Sequence, residues 1–184
     1  MGETNIMLYV ARHGQTIWNL QNKVCGITDV ELTELGKEQA KALANEVQGN
    51  SISLIISSPL KRAVETSQIV SEICDIPFEI DKRLIEQNYG IYEGVDRKKE
   101  EFLNNKRQFS FKYPNGESMM QVAYRVYGLL EELKCKYSDK NVLVITHGGV
   151  CRIINTYFRD MTNEEFFHYT LQNARLEKYE WGEN

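Results

Sequence analysis

Residues 6–19 read IMLYVARHGQTIWN, an apolar run that ends abruptly in Arg12-His13-Gly14 and continues as polar sequence. A short run rich in Ile, Val, Leu and Tyr, without a long 3.6-residue period, predicts a buried strand rather than a helix. Ligands of open α/β sheets gather at the carboxyl ends of strands, where Arg12 and His13 would fall. A guanidinium, an imidazole and a glycine that allows close backbone approach suit a dianionic phosphate. An Arg–carboxylate pair beside a packed imidazole would use the same residues, so the decision rests on the rest of the chain.

The pattern returns at residues 141–149. NVLVIT is the clearest strand in the sequence, and it too ends in imidazole and glycine, His147-Gly148-Gly149. Two of the three histidines therefore share a strand–His–Gly placement. Between them, ISLIIS at 52–57 predicts another strand. Ser58 then offers an N-cap, and Pro59 sits at the first position of a helix running to about residue 74. Ala63, Ile69, Val70 and Ile73 form that helix's apolar side, and Arg62 stands in its first turn against the dipole preference. Arg62 is thus either a solvated side chain or a phosphate ligand.

Working outward, residues 19–29 read as a loop beside the first strand end. Residues 33–48 read as a covering helix with Leu35, Ala40, Leu43 and Val47 on one stripe and Gly49 as its stop. Phe78 to Ile80 is a brief strand. Residues 84–94, LIEQNYGIYEG, form a structured loop with Glu86 beside apolar residues. The segment 96–112 is charged and helix-compatible, with Lys98, Lys99, Lys106, Arg107 and Lys112 outnumbering its acids. Runs of this kind are mostly solvated faces. After Pro114-Asn115-Gly116, residues 117–137 make a long helix with Val122, Val126, Leu129, Leu130 and Leu133 inward. A helix spans about 150–158, a T-x-x-E box at Thr162 and Glu165 opens a short one, and residues 171–181 hold a final edge strand.

Strands alternating with helices predict βαβ units. The fold class is α/β, a three-layer sandwich whose mostly parallel central sheet is flanked by helices. Its strand ends would gather Arg12, His13, Arg62 and His147. The 184 residues fit one domain, 1–184, with a small insertion or lid at about 86–116. A net charge of −4 argues against nucleic-acid and anionic-membrane partners, and requires a local basic pocket for any anionic substrate. The four cysteines lie far apart without a C-x-x-C pair, so reduced thiols are expected and no metal site or disulfide framework. No leader and no bilayer-length apolar run is evident, which makes the cytoplasm the expected compartment. No cofactor is indicated, and homodimerisation is left open.

RHGQTIWN, SSPLKRAVET, LIEQNYG and VLVITHGGV, in that order over nearly the whole chain, resemble the histidine phosphatase superfamily, the group that contains the cofactor-dependent phosphoglycerate mutases. The resemblance implies that His13 is the phosphorylated nucleophile. It also implies that Arg12, Arg62 and His147 bind the transferred phosphoryl group, with Thr16, Asn19 and Gly148 assisting, and that Glu86 is the proton donor. Gly26 and Tyr89 are expected on the leaving-group side, where Ile17, Trp18, Cys25 and the 96–113 segment are also candidates, Trp18 more as packing.

The residue types fit such chemistry independently. A neutral imidazole can form a covalent intermediate, flanking guanidiniums disfavour its protonation, and preorganised cations stabilise phosphoryl oxygens without a metal. The resembling mutases carry an Arg-His pair after the proton-donor Glu and a double Arg on a longer insertion. Here Gln87-Asn88 follow Glu86, and acids follow Lys98-Lys99. HGGV and PNGES at 114–118 resemble instead the small broad-specificity and ribazole-phosphate phosphatases. The expected function is therefore hydrolysis of a small phosphate monoester. A phosphoglycerate mutase is the alternative, and a non-catalytic phospholigand-binding module the more distant one.

Overall fold

The computed structural model describes residues 6–181. The leader expectation and the ends of the 1–184 domain fall partly on residues outside that span. Five strands form one sheet in the order β3-β2-β4-β1-β5: β1 Met7–Arg12, β2 Ile52–Ser57, β3 Phe78–Ile80, β4 Asn141–Thr146 and β5 Leu176–Glu180. All neighbours are parallel except β5, which runs antiparallel to β1 at the edge. The register pairs Arg12 with Thr146, so β1 and β4 end side by side and the two imidazoles emerge at the same level. His13 donates its backbone N–H to the Thr146 carbonyl across that seam.

The central strands β1, β2 and β4 are buried almost throughout because both of their faces are covered, as expected of parallel sheets. Leu8, Val10, Leu54, Ile56, Val142 and Val144 pack under α5 (Met119–Lys136) and α6 (Gly148–Phe158). Tyr9, Ala11, Ile55, Leu143 and Ile145 point the other way, under α2 (Glu34–Gln48) and α3 (Lys61–Cys74). The expected three-layer α/β sandwich is the one observed.

Several local expectations are corrected. Leu35 lies outside the buried stripe of α2 and Ile73 outside that of α3, with 55% and 41% of their surface exposed. The inner side of α3 instead buries Arg62, Thr66 and Ser67, because it faces the site rather than a purely apolar layer. Helix α3 starts at Lys61 with Leu60 in the cap position, two residues later than the Ser-Pro signal suggests. Ile17–Leu20, read as loop from Asn19 onward, begins as a one-turn helix α1 whose capping box is formed by Thr16 and Asn19. Of residues 96–112 only Glu100–Lys106 is helical, as α4.

Residues 86–116 carry their own small aromatic cluster of Tyr89, Tyr92, Phe102 and Tyr113, joined by Val24. The rings meet edge-on or stacked at 5.3 to 6.0 Å, a packing that adds to the burial of each ring. Helix α7 (Asn163–His168) opens with the expected Thr162–Glu165 box. All four cysteines are free thiols. No helix among the described residues is long and apolar enough to cross a membrane.

Candidate active site

At the carboxyl ends of β1 and β4 lies a cavity of about 110 Å³ lined by Arg12, His13, Asn19, Glu86, Tyr89 and Gly148 among the residues expected from sequence. Arg62 and His147 stand directly behind His13, both buried. The Arg62 guanidinium joins the two imidazoles. Its Nε–H points at His13 Nε2 and at His147 Nδ1, each 3.2 Å away. Its Nη1 and Nη2 donate to the carbonyls of Thr28 and Gly26, at 2.9 and 2.7 Å. Those carbonyls take the positive charge into a buried position that the helix dipole alone would oppose.

The loop they belong to is pinned in turn by Glu93, whose carboxylate accepts from the Gly26, Ile27 and Thr28 amides and from the Thr28 hydroxyl. Glu93 has no helical or strand period around it, so sequence reading passed over it. Of the expected ligands, Thr16 is spent capping α1 and Gly26 lends its carbonyl to Arg62. Neither lines the cavity, and nor do Ile17 and Trp18.

His13 Nδ1 lies 2.7 Å from the Gly14 carbonyl. A carbonyl can only accept, so Nδ1 carries the proton and Nε2 presents its lone pair. Burial first, then Arg62 and Arg12, holds the pKa of His13 well below its ordinary value, which keeps that lone pair free. His147 is held low by burial and Arg62 in the same way. Its Nε2 is 2.7 Å from Ser58 Oγ, the hydroxyl that sequence alone assigns to helix capping.

Arg12 is buried. One Nη donates to the Leu171 carbonyl at 3.1 Å, while its Nε has no hydrogen-bond partner. Burial and the nearby Arg97 lower its pKa. A buried guanidinium with an idle N–H on a cavity wall is completed by an anion. Asn19 uses its Oδ1 to accept from the Thr16 amide and from Asn173 Nδ2, leaving its own NH₂ for the cavity. Asn173 also holds the His13 carbonyl at 2.8 Å.

Glu86 is clamped through both oxygens: Oε1 accepts from the Gln87 amide at 2.8 Å and Oε2 from the Gly149 amide at 2.9 Å. The second glycine of His-Gly-Gly is there for that contact, since a Cβ at Gly149 would lie 2.5 Å from Glu86 Oε1. Gly14 has a different reason from the one expected. A Cβ there would come within 2.3 Å of the Gly36 carbonyl, so its close approach is to α2 rather than to a ligand.

The 96–113 segment, a leaving-group candidate from sequence, does reach the cavity through Arg97, Phe102 and Lys106, whereas Arg152 was not singled out. Arg97, Lys106 and Arg152 line the same cavity, with Val24, Phe102, Tyr169 and Thr170 between them. The chain thus lacks the mutases' cations after Glu86 and at Lys98-Lys99 but brings three others to the cavity. Arg152 had a usable signal, because it follows Gly148 by one helical turn on α6.

A mostly parallel α/β sheet here presents two imidazoles and two buried guanidiniums near adjoining strand ends, a donor set whose chemistry suits a phosphate-sized anion. The Bacillus subtilis (strain 168) protein named "Uncharacterized phosphatase PhoE" is 33% identical over 174 residues, covering 95% of this chain and 88% of its own. The Escherichia coli O1:K1 protein named "Probable phosphoglycerate mutase GpmB" is 33% identical over 150 residues, or 78% of this chain and 70% of its own. The solved mycobacterial glucosyl-3-phosphoglycerate phosphatase is 26% identical, with a TM-score of 0.84, and the match covers 94% of this chain and 89% of that one. The family model for the histidine phosphatase superfamily (branch 1) matches residues 8–184, and the chain belongs to that family.

Proposed function

We propose that the protein hydrolyses a small phosphate monoester through a phosphohistidine on His13. The observation that carries the reading is His13 Nε2: its lone pair is fixed by the Nδ1–Gly14 bond, lies 3.2 Å from Arg62 Nε, and belongs to a ring on the wall of a cavity that also holds Arg12 and Glu86. In the first step Nε2 attacks phosphorus, the P–O ester bond breaks, and the Glu86 carboxyl gives its proton to the departing oxygen. Arg12, Arg62 and the Asn19 amide receive the charge on the equatorial oxygens, a task that preorganised donors perform without reorganising. In the second step water loses a proton to Glu86 and attacks the phosphorus, the P–N bond breaks, and His13 returns to its neutral form. No metal is needed for either step. The segment 86–116, which supplies Glu86, Arg97 and Lys106, forms the cover of the leaving-group side.

The test is a panel of phosphorylated sugars, glycerates and nucleotides, assayed for phosphate release without added metal, with acid-labile phosphoenzyme trapped in parallel. Release together with a trapped phosphoenzyme is the expected result, and no turnover on any of them would sink the proposal. The mutase reading has one observation in its favour, the similarity to the protein named as a mutase. A coupled assay in which phosphate moves between glycerate positions much faster than it is released would replace hydrolysis with transfer.

A further inference from the structure

The phosphate end of the cavity accounts for Arg12, Arg62 and the two imidazoles, but not for Arg97, Lys106 and Arg152. These three share the cavity wall with Glu86, the acid that must touch the leaving oxygen. Among the described residues none of them forms an ion pair with a carboxylate. Arg97 donates only to the Lys23 carbonyl, at 2.8 Å. Arg152 donates to the Tyr169 carbonyl through Nε and Nη2, and rests on the Phe166 ring. Lys106 has only a ring contact, 5.0 Å from the Phe167 centroid. The sole acid on the wall, Glu86, has both oxygens taken by amides. Burial first, then Arg152 and Arg97, presses the Lys106 ammonium down to about 8. Gathering cations without a carboxylate partner costs free energy in the empty protein.

Resting on the phosphomonoesterase reading, we infer that the leaving group carries a second negative charge, a carboxylate or a second phosphate, received by Arg97, Lys106 and Arg152. The same cations repel an ammonium-bearing alcohol and give a neutral one nothing beyond packing. Affinity and selectivity thus come from the leaving-group wall, while the strand ends hold the part common to every phosphate ester.

The experiment compares phosphoglycolate, ethane-1,2-diol bisphosphate and ethyl phosphate, which differ chiefly in the group at the far end. The wild type is expected to prefer at least one anionic ester over ethyl phosphate in kcat/KM by about 10²-fold, and the preferred one identifies the second anion as carboxylate or phosphate. In the Arg97→Gln/Lys106→Gln protein that preference should shrink by about tenfold or more. No preference in the wild type, or an equal loss on all three esters, would overturn the inference. A charge swap guards against a misfolded variant: Lys106→Glu should raise O-phosphoethanolamine relative to ethyl phosphate by about tenfold, and an unchanged ratio counts against the subsite. Calorimetric binding of the same ligands to His13→Ala protein, with and without the double substitution, reads the wall without turnover. Failure of hydrolysis and failure of the subsite therefore stay distinguishable.

Discussion

His13 and His147 are built by the same local sequence, a buried parallel strand followed by imidazole and glycine, and they end with opposite nitrogens committed. In His13 the Nδ1–H donates to the Gly14 carbonyl, and Nε2 carries the lone pair, which faces Arg62 Nε and the cavity. In His147 the Nδ1 accepts from Arg62, so Nε2 carries the proton and gives it to Ser58 Oγ. The rings lie 5.1 Å apart, tilted by 57°, and share one guanidinium. In the proposed mechanism one strand end offers the nucleophile, while the other is a fixed support, buried completely and off the cavity wall. The difference comes from the partner of each ring rather than from the strand that delivers it.

The largest expected effect separates the two. His13→Ala should remove the acid-labile phosphoenzyme and lower turnover by about 10⁶-fold, the scale for loss of a covalent nucleophile. A phosphoenzyme that still forms would move the nucleophile elsewhere. Glu86→Gln should cost about 10²- to 10⁴-fold, chiefly with poor leaving groups that need a proton. Equal rates on good and poor leaving groups would remove it from that role. His147→Ala should slow phosphoenzyme formation by about 10²- to 10³-fold without abolishing it, as loss of one organised electrostatic group does. Complete loss would make the two histidines equivalent, and the contrast drawn between them would be wrong.

Smaller effects test the burial of both rings. Each has a pKa depressed below that of the unfolded chain, so below about pH 6.5 the unfolded state takes up protons that the folded state refuses. Stability from these groups is complete above about pH 6.5 and lost as the pH falls towards the depressed values. The loss approaches about 1.4 kcal/mol per pH unit for each imidazole. Urea titrations of wild type and His13→Gln between pH 7 and 5 should differ in slope by one such contribution, and identical slopes would contradict the burial argument. Ser58→Ala should cost about 1 kcal/mol, the net worth of a lost buried hydrogen bond. It should also slow turnover through the freed His147 ring, which thermal unfolding and kinetics on one sample would both report.

What sequence showed and what it hid divides along a physical line. His13, His147 and Arg62 were legible because strand periodicity and chain punctuation place them at element ends, and strand ends converge, whereas Glu86 lies in a loop and was singled out by the family resemblance. The helical stripe misplaced Leu35 and Ile73, since periodicity gives a face and not the width of its covered part. Ser58 looked like a cap because the helix start was set by Pro59, whereas the hydroxyl answers to a ring 89 residues away. Lys106 was read with its charged neighbours as a solvated face. Arg97, Lys106 and Arg152 meet only through the tertiary fold, and no local pattern records that.

The connection before β5 has a consequence in time. The Leu171 carbonyl accepts from Arg12, the Ala174 amide donates to the Arg12 carbonyl, and Asn173 holds the carbonyl of His13, across 159 to 162 residues of chain. Contacts of that separation are the costliest in loop-closure entropy and among the last to form. On the ribosome the sheet's first strand waits for residues 171–174 to emerge. A nascent chain can thus hold His13, Arg62, Glu86 and His147 and still lack the contacts that fix Arg12 and the His13 carbonyl.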